Sequence, residues 1–180
     1  MLRLWKSRSY CLCMKTRDAK RNAVCVTFHF YVFCFREVFS NVDKNKLILE
    51  AISARKNAYV PYSKFAVGAA LLCDDGTIYK GCNIENASYS LSCCGERTAF
   101  FNAINDGKRN FKAIAIVAGF EDGRDSNKIS TSCGSCRQIM REFCDPNSFA
   151  ILLAPLSNPE EVTEFNLYAL LPHSFGPDDL

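Results

Sequence analysis

The sequence predicts one layered α/β domain with a mixed sheet over residues 44–180, preceded by an extension, residues 1–43, of different character. Three observations carry this. From residue 44 onward the apolar patterning alternates between helical and strand types in the order αββαβαβ, with a short tail. Two cysteine-bearing segments, 93–99 and 132–138, each follow a polar loop and open a helix. A chain of 180 residues lies below the length, roughly 250 residues, at which chains tend to split into several cores.

The elements follow in order. Asp43 is placed to cap a helix running to about residue 57, with Leu47, Ile48, Ala51 and Ile52 on one face, and Pro61 bars its extension. Residues 66–73 form a continuous apolar run that reads as a buried strand. Asp75-Gly76 is a hairpin signal leading to a second strand at 77–82. After a polar loop at 83–92, a helix is predicted from about Cys94 to Asn105, with Gly107 placed to end it. A third strand covers 112–118, a loop 119–132, a short helix 134–143 and a fourth strand 148–153. A brief helical stretch lies near 166–171.

Composition divides at the same place. Residues 1–43 hold 8 Lys and Arg against 3 Asp and Glu, a net +5, whereas residues 44–180 hold 14 against 16, a net −2. The extension contains an aromatic-rich apolar run from Ala23 to Phe35, too short for the 18–20 residues or so of a spanning helix and interrupted by Thr27 and His29. It lacks a small-residue cleavage pattern, so it makes a poor secretory signal. The reading is a poorly ordered or targeting extension on a cytoplasmic protein, with organelle targeting as the alternative. The 11 cysteines are an odd number, which suits reduced thiols and metal ligation better than a paired disulfide framework. Two histidines, His29 and His173, exclude any site built from several.

Cys133 and Cys136 have the C-x-x-C spacing that turns two sulfurs toward one metal from a single helical turn. The positive end of a helix favours the thiolate, the form that binds metal. Cys94, at another predicted helix start, can supply a third sulfur, leaving a tetrahedral zinc ion with one open position. Glu96, two residues on, points near the metal without needing to bind it, where a carboxylate can take and return a proton. C-x-E joined to C-x-x-C resembles the H-x-E…P-C-x-x-C signature of zinc deaminases, with Cys94 for the histidine and Ser132 for the proline.

The likeness extends further. The segments Ala58–Phe65, Val67–Leu71, Gly81–Tyr89, Cys94–Thr98, Cys133–Gln138, Leu170–Pro172 and Phe175–Leu180 fall in the order seen in the small homotetrameric cytidine deaminases, which the chain resembles from about residue 44 to 180. The resemblance implies a three-layer α/β/α fold with a mixed sheet of about five strands. It also implies zinc-dependent hydrolysis of cytidine and deoxycytidine to uridine and deoxyuridine plus ammonia, a pyrimidine-salvage reaction. One zinc per subunit would be held by Cys94, Cys133 and Cys136, with a zinc-activated water as nucleophile and Glu96 as proton shuttle. Arg97 would offset the thiolate charge, and Gln138 would lie near the site. Asn83 and Glu85 would bind the ribose 3′-hydroxyl within a loop that includes Asn86, Ala87 and Tyr89. Phe65 would pack on the base, the Gly95 amide would face it, and Phe175 would complete a neighbouring subunit's pocket. Partners would be a nucleoside and further copies of the chain, with no nucleic acid and no membrane span.

Gly95 and Ser132 stand where that family usually has alanine and proline. Cys73, Cys82, Cys93 and Cys144 read as small buried hydrophobes. Two other readings remain: a cytosine deaminase acting on single-stranded nucleic acid, which would need a basic groove with stacking aromatics, and a catalytically silent zinc-binding protein.

Overall fold

The computed structural model describes residues 42–180, so the reading of residues 1–43 as an extension falls almost wholly outside the described residues. Helix α1 (Lys44–Arg55) opens as expected, its Lys46 amide donating to the Asp43 carboxylate at 3.0 Å. Strands β1 (Phe65–Cys73) and β2 (Ile78–Cys82) form a hairpin about Asp75-Gly76, where Gly76 takes φ 86°. Helix α2 (Gly95–Asn105), strand β3 (Phe111–Phe120), helix α3 (Gly134–Phe143) and strand β4 (Ala150–Leu153) follow. Strand β5 (Thr163–Asn166) and one turn of helix, α4 (Leu167–Leu170), precede the tail.

The sheet order is β2-β1-β3-β4-β5. Only β3 and β4 pair in parallel; the other neighbours are antiparallel. The mixed sheet of five strands is therefore present, and its single parallel step is the one that α3 crosses over. Element-by-element patterning did not supply β5. Its sequence, Thr-Glu-Phe-Asn, is half-buried throughout, as an edge strand is, and carries no apolar alternation.

Strand periodicity divides the core into two faces. Leu47, Ile48 and Ala51 of α1 pack on Ala70, Ala113, Ala115, Val117 and Leu152. On the other side Ala99, Phe100 and Ala103 of α2, with Cys136 and Met140 of α3, pack on Leu71, Ile114, Ile116, Ile151 and Leu153. This is the three-layer α/β/α arrangement. Both faces need bare backbone in the sheet. A Cβ on Gly68 would lie 2.0 Å from the Ala51 carbonyl oxygen, and one on Gly81 would lie 2.3 Å from the Ala99 nitrogen. The glycines let α1 and α2 rest directly on the strands.

Candidate active site and metal centre

Helices α2 and α3 both start at a cysteine. Cys94 is the N-cap residue of α2 and Cys133 that of α3, each with extended backbone. The two helix starts meet on one face of the sheet, so the sulfurs of Cys94, Cys133 and Cys136 all lie within 4.8 Å of one another. Cys94 and Cys133 sulfurs are 3.9 Å apart, and those of Cys133 and Cys136 3.5 Å. With Zn–S bonds of about 2.3 Å, a tetrahedron has edges of about 3.8 Å, so the donor set fits one zinc ion per subunit and leaves one corner free.

The Cys136 thiol donates to Cys94, so that Cys94 is brought down to about 5, with Arg97 adding to the drop, while Cys136 itself is pushed well up. Arg97 Nη2 donates to the Cys94 sulfur at 3.7 Å and to the Ser92 carbonyl at 2.9 Å. Glu96, on the first turn of α2, is only 5% exposed. Burial is the main cause that raises its carboxyl above the usual range, with the Cys94 charge adding to it. A buried carboxyl beside these sulfurs is placed to exchange a proton with a group held at the metal position.

A cavity of about 230 Å³ opens over this group. Cys94, Glu96 and Cys133 line it together with Phe65, Asn83, Glu85 and Tyr89. Val67, Ile116 and Ala118 form its wall on the sheet side, at the carboxyl end of β3, where α/β sheets commonly place ligands. Asn83 braces the rim: its Oδ1 accepts from the Val67 amide at 2.8 Å and its Nδ2 donates to the Phe65 carbonyl at 2.9 Å. Glu85 accepts from the amides of Tyr62 and Ser63 and from the Tyr89 hydroxyl.

Other named residues stand elsewhere. Gly95 is buried at the start of α2, where a Cβ would come within 3.2 Å of the Val67 carbonyl oxygen. Asn86 and Ala87 are exposed outside the cavity lining, and Asn86 caps the turn by accepting from the Ser88 amide. Gln138 points to the tail, donating to the Phe175 carbonyl at 2.9 Å, and Phe175 itself is exposed. Cys73 and Cys144 are buried as the sequence suggests, but Cys82 and Cys93 are only half-buried, and Cys93 lines the cavity, because its neighbour Cys94 holds the chain at the rim. Val67, Ser92, Ile116, Ala118, Ser130 and Thr131 also line the cavity, and no catalytic or metal-ligand motif marks them in the sequence. Ser130 and Thr131 adjoin the C-x-x-C motif, the one sequence signal that could have drawn attention to them.

Fold and site together define a zinc–thiolate enzyme of the three-layer α/β/α class with a buried carboxylate beside the metal position. The profile of the cytidine and deoxycytidylate deaminase zinc-binding region matches residues 41–151. A cytidine deaminase from Sporosarcina psychrophila is 50% identical over 139 residues, covering 77% of this chain and 96% of the relative. One from Halalkalibacterium halodurans is 46% identical, covering 77% and 98%. The crystal structure of cytidine deaminase from Burkholderia pseudomallei superposes with a TM-score of 0.66 at 40% identity, covering 74% of this chain and 100% of that one. The chain belongs to the cytidine and deoxycytidylate deaminase family. No helix among the described residues is long and apolar enough to cross a membrane.

Proposed function

We propose that residues 44–180 form the catalytic unit of a cytidine and deoxycytidine deaminase that releases uridine or deoxyuridine and ammonia. The observation that carries this is Glu96, buried and raised in pKa on the same helical turn that begins at Cys94. Cys94, Cys133 and Cys136 would hold zinc, which supplies a polarised water acidic enough to react near neutral pH. Glu96 takes the proton of the attacking water and passes it to N3 of the ring. The water oxygen bonds to C4; the same carboxyl then takes the remaining proton of that new hydroxyl and gives it to the 4-amino group, so that the C4–N bond breaks and ammonia leaves. Arg97, donating to the Cys94 sulfur, balances part of the negative charge of three thiolates.

Phe65 at the cavity wall packs on the pyrimidine, with the Gly95 amide facing it. Asn83 and Glu85 receive the ribose 3′-hydroxyl, within the loop that runs through Asn86 and Ala87 to Tyr89. Gln138 acts at one remove, by holding the tail. The assembly is a homotetramer. Tyr62, Tyr89, Leu91 and Phe175 leave large apolar side chains exposed about the cavity rim and on the tail, which supports burial against other copies. Phe175 would enter a neighbouring subunit's cavity. All seven described cysteines are free, which suits a reducing compartment such as the cytoplasm.

The test is turnover of cytidine by the purified protein, followed through loss of the cytidine absorbance band. Glu96→Gln should cut kcat by a factor of about 10² to 10⁴ while zinc content stays at one per subunit. Wild-type turnover in that variant contradicts the mechanism, and a zinc-loaded wild type inert toward cytidine contradicts the function.

A further inference from the structure

Residues 170–178 lie along α3, the helix whose start carries Cys133 and Cys136, two of the three sulfurs at the metal position. Three side chains of that helix hold them. Arg137 Nη1 donates to the Leu170 carbonyl at 2.7 Å, Gln138 Nε2 to the Phe175 carbonyl at 2.9 Å, and Arg141 Nη2 to the Asp178 carboxylate at 2.8 Å. The third contact differs in kind. Asp178 is 85% exposed, so the ion pair alone holds little in water. Arg141, however, is only 11% exposed, and Gly176 of the tail packs against its guanidinium. Gly176 is buried so close against the guanidinium that a Cβ there would fall 2.4 Å from its central carbon. Arg141 Nε is buried without a hydrogen-bond partner, so the packing against Gly176 is kept at the expense of a donor. The Gly176 amide donates to Asp179 Oδ2 at 2.7 Å and closes the turn that follows.

The result is a phenylalanine whose own carbonyl and following residue are both fixed, while its ring stands 61% exposed. A backbone held this firmly around a free apolar ring orients that ring for a group outside the subunit. We propose that Arg141 is a positioning residue for substrate binding. Its planar guanidinium seats Gly176 and thereby sets where Phe175 is presented to the neighbouring cavity. This rests on the reading of Phe175 given above.

The experiment compares Arg141→Ala, Arg141→Lys, Gly176→Ala, the Arg141→Ala/Gly176→Ala double variant and Phe175→Ala, all in the full chain. Cytidine KM, kcat, zinc content and native mass are measured for each. Arg141→Ala and Gly176→Ala should each raise KM about fivefold or more with kcat within about twofold of wild type. The double variant should rise no further, since both changes open one clamp. Arg141→Lys keeps the stem and charge but not the flat head, and should fall between. If Arg141→Ala does not fold, Arg141→Lys and Gly176→Ala carry the same comparison. A KM unchanged in both of these while Phe175→Ala raises it overturns the clamp and leaves the role of Phe175 standing. A KM unchanged in Phe175→Ala overturns that role itself. A rise in KM accompanied by loss of native mass or zinc also overturns the proposal, since Arg141 would then act on assembly or on the metal site.

Discussion

Glu85 shows how a single residue links the rim of the cavity to stability. Burial would raise its carboxyl, but hydrogen bonds from Ser63, Tyr62 and Tyr89 outweigh that and bring it below the usual range. A glutamate lowered in the folded state contributes stability above its unfolded value, about 4.3, and loses it as pH falls through the lower folded value. Glu85→Gln removes the charge that these donors face. Thermal unfolding followed between about pH 6 and about pH 3 should therefore drop more steeply in wild type than in Glu85→Gln. Parallel curves would remove the ionised carboxylate from the account. On the proposal that Glu85 receives the ribose 3′-hydroxyl, the variant's KM for cytidine should also rise by about tenfold or more. Among single residues, the metal set was the most legible in the sequence. C-x-E and C-x-x-C are local spacings, and a helix start fixes where each points. Gln138 was less so, because whether it turns to the sulfurs or to the tail depends on where residues 170–178 run, which no local pattern states.

At the scale of elements, the two helices on opposite faces use the same device for different ends. Gly68 accepts α1 and Gly81 accepts α2, each at backbone contact. Alanine at either position forces the helix outward, and overpacking of this kind should cost about 3 kcal/mol in urea unfolding. The two should diverge in function. Gly81→Ala displaces the helix that starts at Cys94 and carries Glu96, so kcat and zinc retention should both fall. Gly68→Ala moves α1, which bears no part of the site, and the folded fraction should keep its kcat. Equal kcat losses in the two variants would contradict the assignment of α2 as the element that places the chemistry. Such contacts explain what patterning could and could not provide. The Asp43 cap, the Asp75-Gly76 turn and the apolar runs of β1 and β3 are local signals and were readable. The short polar edge strand β5 and the wall built by Val67, Ile116 and Ala118 arise only when distant strands register against one another.

For the whole molecule, the question is where one active site ends and the next subunit begins. Within a subunit the cavity is lined by Cys94, Glu96 and Tyr89, while Phe175 stands exposed on the C-terminal tail and is not among the residues that line it. If each site takes its glutamate from one subunit and its phenylalanine from another, two defective chains can repair one another. Phe175→Ala and Glu96→Ala should each be impaired when assembled alone. In assemblies formed from an equal mixture, half the sites have an intact Glu96, and half of those meet an intact Phe175 from the other variant. Random association in a closed symmetric oligomer should therefore restore about a quarter of wild-type activity, measured at cytidine concentrations below KM. Dissociating and reassembling the mixed subunits, then assaying against each variant treated alone, makes the comparison. Recovery absent despite mixed assemblies of tetramer mass would place Phe175 within its own subunit's site or outside catalysis altogether. Recovery near a quarter would join the tail of one subunit and the zinc site of the next into one functional unit.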